Sequence, residues 1–201
     1  FNSVFIAYLL IESGRARLFV DPDKLDATLR AGLQADVAVC PYEDFGAALA
    51  ELGKAEKQVW MDPASSNEHS RRQVVSAGGQ VLAKASPISA WKAAKNDAEL
   101  EGMRAAHHRD SVAMVRFLKW LEGAVPAGEL SEMSAAKRLG EFRAEAAEYI
   151  GPSFDTISGY AGHGAIVHYR VSEETDIPLK SEGIYLLDSG GQYVDGTTDI
   201  T

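Results

Sequence analysis

Up to about residue 85 the chain alternates apolar runs of strand length with short helical patterns, and from Asp97 onward the period changes to that of long helices. This switch constrains the fold more than any other feature. A strand shows its faces with a period of two, whereas a helix buries a stripe at three- and four-residue spacing. Strands are expected over 4–11, 16–20, 35–40, 58–61 and 80–84. Helices are expected over 24–33, where Pro22 suits the first turn, over 45–52, and over 69–75 before Gly78-Gly79. Such alternation predicts an α/β layer arrangement.

A boundary falls in the Ala- and Lys-rich stretch 86–96. After it, Leu100, Met103, Ala106, Ala113, Met114, Phe117, Trp120 and Leu121 form one stripe of a helix over 97–121, stopped by Gly123 and Pro126. A second helix is expected over 131–149, with Ser131-Glu132 at its start. Strands then return over 156–158, 165–169, 183–187 and 192–193, so this part reads as α+β.

Composition narrows the function classes. The chain has 46% hydrophobic and 24% charged residues, ordinary for a globular protein. A formal net charge of −9 without a basic tract argues against nucleic acid and against anionic membranes as partners. The single cysteine, Cys40, excludes an intrachain disulfide and a Cys-rich metal site; this fits a reducing cytoplasm. No apolar run approaches the ~18 residues of a membrane span. The opening at Phe1 without a Met leads us to expect an internal fragment of a longer protein.

The segment 185–201 carries the strongest chemical signal. Asp188 follows the apolar run 184–187, and Asp199 lies beyond Gly190-Gly191 and Asp195-Gly196. A strand, a Gly-rich turn and a returning strand present both carboxylates to one divalent metal such as Mn²⁺, Zn²⁺ or Co²⁺. A pair of turn carboxylates flanking a hairpin is the other reading of the same spacing. His168 ends the run 165–167 and suits substrate binding, proton transfer or metal ligation; His163 lies in a Gly-His-Gly loop. Arg104, Arg109, Asp110 and Arg116 share the long helix and read as solvated ion pairs. The glycines at 159, 162 and 164 lack the Lys-Ser/Thr ending of a phosphate loop, and no G-x-S-x-G elbow occurs.

Four stretches together resemble the Xaa-Pro aminopeptidases of the creatinase/prolidase/methionine-aminopeptidase superfamily. They are Leu18-Phe19-Val20-Asp21; Lys95-Asn96 with Glu101 through His107; Gly164-Ala165-Ile166-Val167-His168-Tyr169; and Leu187-Asp188-Ser189-Gly190 through Asp195 to Thr201. The resemblance implies a creatinase N-terminal-like α/β domain over 1–92, followed over 93–201 by the first half of an α+β pita-bread catalytic domain. It implies metal-dependent hydrolysis of the N-terminal Xaa-Pro bond by the full-length protein, with peptides bearing proline at the second position as substrates. It implies two divalent ions, with manganese expected and zinc or cobalt as alternatives. Asp188 and the bridging Asp199 correspond to two of five protein ligands, and His168 to a residue of the substrate pocket. One His and two Glu complete the set in the family and are absent from this chain, so the fragment alone is expected to be inactive. His163 stands where many relatives have Asn and receives no role. Prolidase, a creatinase-like amidinohydrolase and a non-catalytic binding or dimerisation module are the alternatives. A homodimer and a cytoplasmic location are compatible with the resemblance.

Overall fold

The turn at Ser13-Gly14 joins β1 (Ala7–Glu12) to β2 (Arg15–Val20), which pair antiparallel from Ala7↔Val20 to Glu12↔Arg15. Gly14 adopts φ 73°, which costs glycine little. The structure is a computed structural model that describes residues 5–33 and 36–201, divided into two compact units with the division between Ala94 and Lys95. The first residue of the expected strand 4–11, and residue 35 of the strand 35–40, lie outside the described residues.

The N-terminal unit continues through a 3₁₀ turn (Pro22–Lys24) and α1 (Ala27–Leu33) to β3 (Val37–Pro41), parallel to β2. The helix expected from residue 24 starts later because two Asp side chains intervene. Asp21 accepts from the Asp23 N–H and closes the 3₁₀ turn, and Asp26 accepts from the Leu29 N–H at 2.7 Å. Next come α2 (Phe45–Lys54), β4 (Gln58–Met61), α3 (Glu68–Ser76) and β5 (Gln80–Ala83), with β4 and β5 parallel. Their core is apolar: Leu10, Phe19, Ala48, Leu49, Val59 and Val74. Inside the stretch read as a boundary lies α4 (Pro87–Ala93), begun by Pro87 and a Ser86 side chain that accepts from the Ile88 N–H.

In the C-terminal unit Asn96 and Glu99 form a capping box that starts α5 (Asp97–Ala124). A 3₁₀ turn (Val125–Ala127) and Gly128 lead to α6 (Glu132–Ala144), capped by Ser131. That helix ends before the expected 149, because Tyr149 opens β6 (Tyr149–Pro152). The remaining strands are β7 (Ile157–Tyr160), β8 (Tyr185–Asp188) and β9 (Gly191–Tyr193); β6 pairs with β9 and β7 with β8, both antiparallel. The strand expected over 165–169 does not form. A 3₁₀ turn covers Ala161–Ala165, and Ala161 and His168 have φ near 51° and 55°, which breaks an extended run. Its apolar residues Ile166 and Val167 are exposed accordingly. The core packs Ala113 and Phe117 of α5, Ala135, Leu139 and Phe142 of α6, Tyr160 of β7 and Leu179. The chain thus has the expected architecture of an α/β unit followed by an α+β unit.

Candidate metal centre

β8 carries Asp188 at its end, opposite Ile157 of β7. The next residue, Ser189, is bridged antiparallel to Ile200: the Ser189 N–H donates to the Ile200 carbonyl at 2.9 Å, and the Ile200 N–H donates back at 2.8 Å. Side chains alternate along both segments. Since Ser189 and Ile200 share a face, Asp188 and Asp199 share the other, as diagonal neighbours across the pair with backbones ~7–8 Å apart. Geometry therefore brings together the two carboxylates singled out in the sequence.

The two differ in environment. Asp188 is half-buried, and its Oδ1 is enclosed without a hydrogen-bond donor among the described residues; Asp199 is exposed. A buried carboxylate oxygen with no donor is costly unless a cation accompanies it. The site fits a hard or borderline divalent cation in donor chemistry, with Asp188 and Asp199 as the residues that would hold it. The set is incomplete within these residues: among the described residues no group of three or more His, Cys, Asp and Glu side chains is gathered for a metal.

Buried contacts hold the arm bearing Asp199. Thr198 is fully buried; its N–H donates to the Gly191 carbonyl at 2.9 Å and its hydroxyl to Asp110 Oδ2 at 3.0 Å. A Cβ on Gly190 would lie 2.0 Å from the Thr198 carbonyl oxygen, so only glycine permits this approach. Asp110 corrects the expectation of a solvated helix charge. It is 0% exposed, accepts from Arg143 Nε at 2.6 Å and Nη2 at 3.1 Å, and accepts from the Tyr193 hydroxyl at 2.9 Å. The other three do behave as surface or rim charges: Arg104 faces Glu101, Arg116 faces Glu145, and Arg109 pairs with Asp195, whose carboxyl it holds below the usual range. Burial, with the Asp110 charge next in effect, pushes the Tyr193 phenol far up, and burial raises Tyr185 to about 12.

His168 lies on a turn after β7 rather than at a strand end. It is exposed and occupies the third position of the Ile166–Tyr169 turn, closed by the Tyr169 N–H to the Ile166 carbonyl at 3.2 Å. Five residues earlier, His163 contacts Glu132, which sequence reasoning treated only as part of a helix start. One signal could have found Asp110: it interrupts the apolar stripe of α5 with a carboxylate, whereas Glu132, the first residue of α6, carried no such signal. An apolar groove of about 620 Å³ runs between α5 and β8, lined by residues including Met114, Phe117, Leu187 and Ile200; neither Asp188 nor Asp199 lines it.

Known proteins match this chain in sequence and fold. Residues 1–99 match the model for the creatinase/prolidase N-terminal domain, and residues 101–201 the model for metallopeptidase family M24. Xaa-Pro aminopeptidase 1 of Dictyostelium discoideum is 39% identical over 205 residues, covering 100% of this chain and 32% of that protein. The chain thus spans about a third of the length of the curated relatives it matches. The crystal structure of X-prolyl aminopeptidase from Caenorhabditis elegans, described as a cytosolic enzyme with a di-nuclear active site, superposes with a TM-score of 0.86 at 32% identity, covering 96% of this chain and 32% of that one. The Xaa-Pro dipeptidase from Bacillus anthracis shares the fold at a TM-score of 0.75 and 16% identity, over 98% of this chain and 54% of that one. With a creatinase-type N-terminal match first and the metallopeptidase match over the second half, the chain belongs to the metallopeptidase family M24.

Proposed function

We propose that the protein carrying this chain is a divalent-metal-dependent Xaa-Pro aminopeptidase, acting on peptides with proline at the second position. The observation that carries the reading is the donor-free Oδ1 of Asp188, on the same face as Asp199. The named relatives, Xaa-Pro aminopeptidases and a dipeptidase, support the substrate class. On this reading residues 1–92 are the non-catalytic domain and 93–201 the first part of the catalytic one. Manganese is the proposed metal, with zinc or cobalt as alternatives, and the site is completed by a His and two Glu outside this chain.

When bound, the metal pair supplies an activated water and a Lewis acid for the amide carbonyl. Asp188 and Asp199 would hold that pair and neutralise part of its charge. His168 hydrogen-bonds the substrate backbone or the developing tetrahedral centre, and its exposure on a turn leaves its ring free to do so. A cytoplasmic location is supported by the description of the Caenorhabditis elegans enzyme as cytosolic. A homodimer is part of the proposal, without an assigned interface.

The test is release of the N-terminal residue from an Xaa-Pro peptide by the full-length protein, before and after chelation and after manganese return. Asp188→Asn is expected to cost more than the ~10–100-fold typical of outer-shell partners. Retained activity after chelation, or in the Asp188→Asn protein, would overturn the metal assignment. Preference for Xaa-Pro dipeptides over longer peptides would make the protein a prolidase, turnover of creatine an amidinohydrolase, and no turnover of any of them a binding or dimerisation module. The 201-residue chain alone is expected to show no manganese-dependent turnover.

A further inference from the structure

Glu132, the first residue of α6, is completely buried, yet among the described residues it pairs with no Lys or Arg. Its carboxylate gathers donors from the segment that follows β7. Oε1 accepts the Tyr160 N–H at 2.6 Å; His163 Nδ1 lies 3.0 Å from both oxygens; and the Tyr169 hydroxyl donates to Oε2 at 3.1 Å. The Ser158 hydroxyl donates to the Glu132 carbonyl at 2.7 Å, so the backbone of α6 is fixed to the same strand. The His163 and Tyr169 rings pack with centroids 4.6 Å apart. Both ends of the 163–169 loop are therefore held by one carboxylate.

Between those ends sits His168, at φ 55°. A non-glycine residue keeps that conformation only where its surroundings over-determine it. Two backbone bonds shape the loop, from Ile166 N–H to His163 and from Tyr169 N–H to Ile166. Ile166, Val167 and His168 are themselves exposed, so no core contact sets their course. The fixed points are His163 and Tyr169; both meet Glu132, and the Tyr169 hydroxyl also lies 3.2 Å from Thr175 Oγ1. We propose that Glu132 is a positioning residue, which sets the backbone turn of His168 through His163 and Tyr169 and so aims the imidazole. This inference rests on the reading that His168 meets the substrate.

A double-mutant cycle in the full-length protein tests it. Glu132→Gln keeps the size and one acceptor but cannot serve His163 and Tyr169 as the carboxylate does. Tyr169→Phe removes a single donor and is the variant to read if Glu132→Gln does not fold. Each is combined with His168→Asn, which removes the imidazole while tolerating positive φ. On an Xaa-Pro peptide, kcat/KM is expected to fall about 10-fold or more in either single variant, and by no further factor once His168 is already Asn. Losses that multiply would show that Glu132 acts independently of His168 and would overturn the proposal. A crystal structure of the Tyr169→Phe protein reads the same point without turnover: His168 should leave positive φ, and its retention at the original φ would overturn the positioning. If the unsubstituted protein hydrolyses no Xaa-Pro peptide, the proposed function fails, and the crystallographic result still decides the role of Glu132.

Discussion

The two units solve the same packing problem with different materials. The N-terminal unit is held by apolar side chains such as Phe19, Leu49 and Val74, and its most buried charge, Arg17, still reaches Glu12 at the rim. The C-terminal unit has an apolar core as well, but it also encloses Asp110, Glu132 and Arg143, each at most 2% exposed. Buried ions seldom raise stability above what well-packed hydrophobes give; their geometry is demanding, and that demand fixes positions. The contrast teaches where the molecule needs defined positions: next to Thr198–Asp199 and next to the His168 loop.

The largest expected effect attacks the charged side of this contrast. Arg143→Met strands Asp110 in the core and is expected to destabilise the C-terminal unit by about 3–5 kcal/mol. Hydrogen exchange should show the loss in α5 and α6 and leave the N-terminal unit protected; equal loss in both units would break the comparison. The apolar counterpart is Leu49→Ala, 1% exposed at present, with an expected cost of about 2–4 kcal/mol confined to the N-terminal unit. Denaturant unfolding followed separately in the two units measures it.

Alkaline pH sharpens the contrast without a mutation. Tyr185 is raised from 10.0 to about 12 by burial. A group with a raised folded pKa stabilises fully below its unfolded value and loses that contribution as pH rises through the folded one. At about 1.4 kcal/mol per unit, Tyr185 alone removes roughly 2 kcal/mol from the C-terminal unit between about pH 10 and 12. Tyr193 adds to it in the same direction. Phenolate absorbance rising together with loss of near-ultraviolet dichroism checks this; titration near pH 10 with the fold intact would contradict it. The smallest effect is local: Asn96→Ala removes the cap of α5 and is expected to cost about 1 kcal/mol, read as a lowered unfolding midpoint of the C-terminal unit.

The sequence made the scaffold legible where periodicity was unbroken. The stripe through Ala106, Ala113 and Phe117 identified α5, and those residues are buried. The same stripe has a place for residue 110, where the chain carries Asp. Passing that residue over as a surface charge hid the Arg143–Asp110–Thr198 connection, which links residues far apart in sequence that no local pattern joins. Glu132 was hidden in the same way, one residue beyond a Ser that supplies an obvious cap. The 165–169 run was misread as a strand from its apolar residues, whereas a 3₁₀ turn and hydrogen bonding set the backbone there and Val167 is 82% exposed. The Asp188–Asp199 spacing was legible, because a Gly-rich return between strands limits where two flanking carboxylates can point.

The hydroxyl of Thr198 has a consequence for thermodynamic reciprocity. It ties the residue before Asp199 to Asp110, which locks α5 to α6 through Arg143. Tightening at either end is then felt at the other. On the proposed function, a cation held by Asp188 and Asp199 would stabilise the helix pair by the coupling free energy between the two places. A substitution in that pair, remote from any substrate, would in return change the affinity for the cation through the same coupling. On that reading the packing of two helices would be part of the cation's dissociation constant.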